Sequence, residues 1–167
     1  SRLPELDAAL NALTWAQSPA EDLKALLDPL TVTSLPNPAL ASRRALIDDV
    51  FSAPNVPAIV DRLRAVTLPD QREWATATAD LLLTRSPLAM AVTLEMLRRG
   101  RELPLEQCFA LEIHLDRQWF DRGDLMEGVR ALIIDKDKTP HWNPPSLNQL
   151  DAAHVASSFS DFKPTGA

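Results

Sequence analysis

The residues able to do chemistry in this chain are scattered along it. His114, His141 and His154 lie far apart, without the HxxxH or Cys-pair spacing that sets two metal ligands side by side. No metal site is expected from them. The single cysteine, Cys108, falls within an apolar helical pattern with no His or Asn constellation beside it, which reads as a buried, inert thiol rather than a nucleophile. One cysteine cannot form an internal disulfide, so a reducing compartment fits. Acids occur in pairs at Glu21-Asp22, Asp48-Asp49 and Asp135 with Asp137. Acid–base catalysis needs carboxylates in a cleft with displaced pKa values, whereas acids at helix starts or alternating with lysines, as around Lys136 and Lys138, read as solvated surface. There is no GxSxG elbow, and the four glycines, Gly100, Gly123, Gly128 and Gly166, are too dispersed to build a phosphate-cradling loop. No catalytic residue is expected in this chain.

Composition narrows the partners. The 167 residues carry 17 basic and 23 acidic side chains for a net charge of -6, which gives no broad attraction to a phosphate backbone, so nucleic acid is not an expected partner. No apolar run approaches the roughly 18 residues of a membrane helix, and no membrane association is expected. Ser1-Arg2-Leu3 lacks an initiator Met, an apolar signal core and an Arg-rich transit pattern, so the chain is expected to be a fragment.

The elements that position these residues read as helices throughout. Proline marks their starts, where the missing amide costs nothing and the fixed φ suits the first turn, and Ser18-Pro19, Asn37-Pro38 and Ser86-Pro87 each place a capping side chain before it. Ser18 with Glu21 and Asp124 with Glu127 have capping-box spacing. The pattern predicts helices at about 3–16, 19–28, 38–51, 56–66, 69–84, 87–99, 104–122, 125–135 and 147–156. In 104–122 the recurrence of Leu105, Cys108, Phe109, Ile113 and Phe120 predicts the buried stripe, with Gly123 as a left-handed stop. Arg98 and Arg99 suit the last turn before Gly100 by opposing the helix dipole. Only "LTVTSL" at 30–35 and "ALII" at 131–134 have β-like content, and neither has a credible partner strand. The predicted class is all-α.

One long run is distinctive. Residues 86–144, "SPLAMAVTLEMLRRGRELPLEQCFALEIHLDRQWFDRGDLMEGVRALIIDKDKTPHWNP", closely resemble the C-terminal region of the 3-hydroxyisobutyryl-CoA hydrolases, a branch of the enoyl-CoA hydratase/isomerase (crotonase) superfamily. The pattern D-x-x-EGVRA-x-x-IDKD-x-x-P-x-W-x-P is its most specific part. "FSAPNVPAIVDRLRA" followed by "EWATATADLLLTRSP" is similar to a helical insertion that sets the hydrolase branch apart.

The resemblance implies a helical C-terminal segment of a crotonase-type α/β enzyme whose β/α core lies outside this chain. It divides the chain into a linking helix at 1–16, the insertion at 17–85, C-terminal crotonase helices at 86–145 and a tail with a short helix at 146–167. The parent would be an acyl-CoA thioester hydrolase of valine catabolism, with the oxyanion-hole amides and catalytic carboxylates in the core and this chain inactive alone. Alternatives are an enoyl-CoA hydratase/isomerase with a long tail, or a non-catalytic helical interaction module. The implied partners are that core, an acyl-CoA substrate and further copies in a homo-oligomer, with no cofactor beyond the substrate's CoA moiety. Lys136 and Lys138 are the residues the resemblance places near the adenine and ribose phosphate of CoA, although the aromatic residue and Glu-Lys-Arg run common in hydratases are absent around Leu132 and Ile133. The stiff, Trp-bearing tail at Pro140–Pro145 would be a strap across the surface of the core. With 13 arginines to 4 lysines, a bacterial cytoplasm is expected, and the mitochondrial matrix is the alternative.

Overall fold

The computed structural model describes residues 3–16, 18–31 and 38–163, which form two compact units, Ser1–Ser42 and Arg43–Ala167. The described residues contain helices and no strand. The all-α expectation therefore holds for them. In the first unit, α1 (Leu3–Ala12) is followed by α2 (Pro19–Leu27) and a 3-10 turn at Asp28–Leu30. The helix predicted to reach residue 16 stops at Ala12, and the Ala16 amide donates instead to the Asp22 carboxylate at 2.7 Å. The expected capping box at Ser18 does not form: its hydroxyl makes no cap, while its carbonyl accepts from the Glu21 and Asp22 amides. Asn37 and most of the β-like run at 30–35 lie outside the described residues.

The second unit holds α3 (Arg44–Phe51), α4 (Val56–Arg64), α5 (Pro69–Leu83), α6 (Pro87–Gly100), α7 (Leu105–Arg122), α8 (Leu125–Val129) and α9 (Ala152–Ser157). Within the predicted helix at 38–51 the described backbone is 3-10 at Ala41–Arg43 and α-helical only from Arg44. The predicted helix at 147–156 is likewise split, into a 3-10 turn at Leu147–Gln149 and α9, whose N-cap Asp151 accepts from the Ala153 amide. Two N-caps form as Pro-led starts require, Asn55 accepting from Ala58 and Ser86 from Ala89.

Two apolar clusters make the core of this unit. The first joins α3, α4 and α5 through Val50, Ala53, Ile59, Val60, Leu63, Ala75 and Ala79. On α4 the buried positions 56, 59, 60 and 63 follow helical spacing, and the small side chains of Ala75 and Ala79 let α5 approach them closely. The second joins α6, α7 and the segment after α9 through Leu88, Val92, Leu111, Leu115 and Phe159. Helix α6 serves both, with Leu94 packed on the first cluster and Met96 on the second. Arg98, expected only to oppose its helix dipole, donates to the carbonyls of Ala53 and Pro54, each at 2.7 Å, and so ties α6 to the α3–α4 corner. Arg99 pairs with Glu95 and lies 4.1 Å from the centre of the Phe159 ring.

The stripe expected to be buried on α7 faces outward. Leu105, Phe109, Ile113 and Phe120 are exposed, while Leu111 and Leu115 are sealed in the core and Trp119 packs beside them. Helical spacing identifies rows of apolar residues but not which row meets the rest of the fold. Cys108 is only half-buried, its thiol pointing at the carbonyls of Gly100 and Leu103. Leu63 is 1% exposed at the centre of the first cluster, so Leu63→Ala should cost about 2–5 kcal/mol in urea denaturation, whereas Leu83→Ala on the surface should stay within about 0.5 kcal/mol.

Candidate functional site

The motif residues of the segment 124–144 converge on one another. Helix α8 does not run on to residue 135 as a regular helix: at Arg130–Ile134 it widens into a π-turn, closed by the Asp135 amide donating to the Arg130 carbonyl at 2.8 Å. The β-like "ALII" is that turn. It carries the Arg130 guanidinium to the side on which the chain returns. Nε and Nη2 of Arg130 donate to the two carboxylate oxygens of Glu127 at 2.8 and 2.7 Å, Nη1 donates to Asp135 at 2.7 Å and Asp137 at 2.6 Å, and Nη2 also reaches the Thr139 carbonyl at 3.1 Å. A planar fork of donors suits this arrangement, since one arm grips a carboxylate bidentately while others serve further acceptors.

The expected capping box at Asp124 and Glu127 is replaced by this clasp. Asp124 makes no cap to α8; its carboxylate accepts from the Ser86 hydroxyl and, at 2.9 Å, from the Asn143 amide. Glu127 accepts from the His141 amide at 2.7 Å. Both acids thus bind the returning backbone rather than the start of their own helix. Gly123, expected in a left-handed conformation, is extended at φ -100° and ψ -179°. Trp142 completes the fastening: its indole N–H donates to the Thr84 carbonyl at 3.0 Å, and its ring lies over Gly128, where a Cβ would sit 3.5 Å from it. The strap therefore crosses helices of this same chain, and the surface under Trp142 is α8 and the end of α5.

Electrostatics follow from these contacts. Arg130, and after it the His141 amide, holds Glu127 down at about 2 from an ordinary 4.5. Asp137 is lowered by Arg130 and by the Thr139 amide, and Arg130 is raised in turn by Glu127, Asp137 and Asp135. The pair Asp135 and Asp137, expected to be free in solvent, is bound. The two lysines between and after them have left-handed backbone, φ 57° at Lys136 and 56° at Lys138, a region that costs a non-glycine residue of order 1–3 kcal/mol and persists where neighbours over-determine it. Here the flanking carboxylates are held on one guanidinium, and the Lys138 amide donates to the Ala131 carbonyl at 3.0 Å. Neither ammonium group forms an ion pair among the described residues.

Beside the clasp lies an open groove of about 870 Å³. Leu82, Leu88, Leu94 and Leu97 line it together with Leu132 and Ile133 of the π-turn and Lys138, Pro140 and Trp142 of the strap. Lys138 and Arg85 are the cationic side chains along it, and Lys136 is not part of its lining. The groove itself was not legible in sequence, because it is made by the strap's return. His114 meets the Ser158 carbonyl at 3.0 Å and stacks obliquely near Phe162, and no cluster of metal-ligating residues occurs among the described residues. No described helix is long and apolar enough to cross a membrane.

The second unit is thus a set of helices with a clasped strap beside an apolar groove. The enoyl-CoA hydratase/isomerase family model matches residues 1–159, and the chain belongs to that family. It is 37% identical over 114 residues to a mitochondrial 3-hydroxyisobutyryl-CoA hydrolase of Dictyostelium discoideum, covering 68% of this chain and 29% of that protein. To the mitochondrial 3-hydroxyisobutyryl-CoA hydrolase of Gallus gallus it is 32% identical over 170 residues, 99% of this chain and 42% of the relative. Among solved structures, a carnitinyl-CoA dehydratase from Mycobacterium thermoresistibile superposes with a TM-score of 0.78 at 30% identity, over 98% of this chain and 43% of that one. The chain spans less than half the length of each of these relatives.

Because Glu127 is lowered, its share of the clasp is fully present above about pH 4.5 and is lost as pH falls through about 2. Trp142 fluorescence, taken as the difference from Trp142→Phe, should hold steady from neutrality to about pH 4.5 and change below it. Arg130→Lys, which removes the bidentate grip, should produce the released spectrum already at neutral pH.

Proposed function

We propose that this chain is the helical C-terminal part of a CoA-thioester hydrolase resembling 3-hydroxyisobutyryl-CoA hydrolase. The observation that carries the reading is the clasp itself: the D-x-x-EGVRA-x-x-IDKD-x-x-P-x-W-x-P residues act as one unit, with Asp124, Glu127, Arg130, Asp135, Asp137 and Trp142 all fastening the strap. Two relatives matching this chain bear the hydrolase name. Thioester hydrolysis needs donors for the oxyanion and carboxylates to manage attack and proton transfer. The strap acids are poorly suited to that work, since Glu127 at about 2 is too weak a base at neutral pH and Asp137 is held down as well. In this reading the chemistry belongs to the remainder of the protein, and the 167 residues alone do not turn over substrate.

The segment's part is to shape and electrically bias one side of the substrate site. Lys138 borders the groove while Lys136 does not, which favours Lys138 as the phosphate contact of the CoA moiety. The relatives' mitochondrial designation favours the matrix as the compartment, with a bacterial cytoplasm as the alternative, and valine breakdown is the route their name implies.

The test is thiol release from 3-hydroxyisobutyryl-CoA by the full-length protein. Release is expected, with none from the 167-residue chain. Water addition to an unsaturated acyl-CoA without thiol release would move the reading to a hydratase, and turnover by the isolated chain would place the chemistry here. Lys138→Ala in the full-length enzyme should raise KM severalfold with kcat nearly unchanged, because a remote phosphate contact binds ground and transition states alike. Lys136→Ala should leave both unchanged.

A further inference from the structure

Lys138 lines the groove on a backbone that ordinarily belongs to glycine or asparagine, at φ 56°, and its ammonium forms no ion pair among the described residues. A side chain kept where its own backbone conformation is unfavourable points to a use for that side chain, and to neighbours that hold the conformation.

Those neighbours are specific. Asp137 places one carboxylate oxygen on Nη1 of Arg130 at 2.6 Å and the other on the Thr139 amide at 2.8 Å, so its side chain spans Lys138 from one flank to the other. An acceptor reaching the amide two residues on is the arrangement of an Asx turn, which suits the short side chains of Asp and Asn. The Thr139 hydroxyl closes the same span a second time by donating to the Asp137 carbonyl at 3.0 Å, and the Thr139 carbonyl accepts from Nη2 of Arg130 at 3.1 Å. With the Lys138 amide on the Ala131 carbonyl at 3.0 Å, Lys138 is the middle of a three-residue loop closed on itself and fastened at both ends to one guanidinium. Lys136 has no such bracket: Asp135 reaches Arg130 at 2.7 Å but makes no bond to the Asp137 amide among the described residues.

The charge of Asp137 works against a phosphate contact at its neighbour. A carboxylate next to Lys138 repels phosphate, so on charge alone this position would be better neutral. Released from the bracket, Lys138 returns to the ordinary negative-φ region and its side chain swings away from its present direction.

We propose that Asp137 is a positioning residue for the phosphates of the CoA moiety: by bracketing Lys138 in the left-handed conformation against Arg130 it holds that side chain along the groove, and this outweighs the repulsion from its own carboxylate. The proposal rests on the reading of Lys138 as the phosphate contact, and not on which reaction the acyl group undergoes.

Calorimetric titration of the full-length protein with CoA, and with pantetheine, which lacks the adenosine and the phosphates, tests it. Asp137→Asn removes the tie to Arg130, and Asp137→Glu keeps the charge but breaks the short bracket to Thr139; each should weaken CoA binding about fivefold, the loss expected of Lys138→Ala. Added to Lys138→Ala, either should weaken it no further, because residues acting through one contact are not additive. Pantetheine affinity should stay at the wild-type value in every variant. Unchanged or tighter CoA binding in Asp137→Asn, with the loss present in Lys138→Ala, overturns the proposal and leaves the phosphate reading of Lys138 standing. Losses that add in the double variants, or that extend to pantetheine, overturn it as well, since Asp137 would then act apart from Lys138 or through the strap as a whole. Unchanged CoA binding in Lys138→Ala overturns the phosphate reading itself and this proposal with it.

Discussion

One guanidinium organises the C-terminal half of this molecule. Arg130 is charged at every accessible pH, and its planar donors meet both oxygens of Glu127, one oxygen each of Asp135 and Asp137, and the carbonyl of Thr139. Three carboxylates so near each other would repel without it. With it, the chain is folded back on itself within a few residues of the end of α8. The two left-handed lysines, the bonds from Asp124 and Glu127 to the strap amides, and the seat of Trp142 on Gly128 all follow from that reversal. The π-turn is its counterpart in the helix, since the wider turn brings Arg130 to the acids and leaves Leu132 and Ile133 along the groove.

The rest of the second unit supports that corner by small contacts rather than a large core. Ala75 and Ala79 let α5 lie close to α4, and the end of α5 provides the Thr84 carbonyl that receives the Trp142 N–H. Ser86 both caps α6 and donates to Asp124, so the start of one helix and the start of another share a hydroxyl. Arg98 then couples α6 to the α3–α4 corner through two backbone carbonyls. The groove is thus bounded by elements tied together through hydrogen bonds, which hold positions more narrowly than apolar packing of this size would.

Helix positions were legible because proline, helical periodicity and the absence of paired β-rich runs act locally. The predicted starts at 19, 56, 69 and 87 match the observed ones, each Pro-led or preceded by a capping residue. The family motif was legible too, as a pattern of types. Its geometry was not. Asp124 and Glu127 have the spacing of a capping box, yet their carboxylates turn to the amides of Asn143 and His141, because a returning segment offers unpaired donors that only the folded chain brings near. Asp135 and Asp137 looked solvated for the same reason: their partner is five and seven residues away along a chain that reverses.

By itself, then, the sequence determined the all-α class of the described residues, the starts of α2, α4, α5 and α6, and the family the chain joins. Tertiary structure decided which apolar row of α7 is sealed, where the strap lies, and which lysine borders the groove. Periodicity records that a helix has apolar rows but contains nothing about the neighbour each row will meet, and Leu111 and Leu115 are inside while Phe109 and Ile113 are outside only because α6 and Phe159 lie on one side. Contacts between residues distant in the chain are set by packing, and local propensity has no term for them.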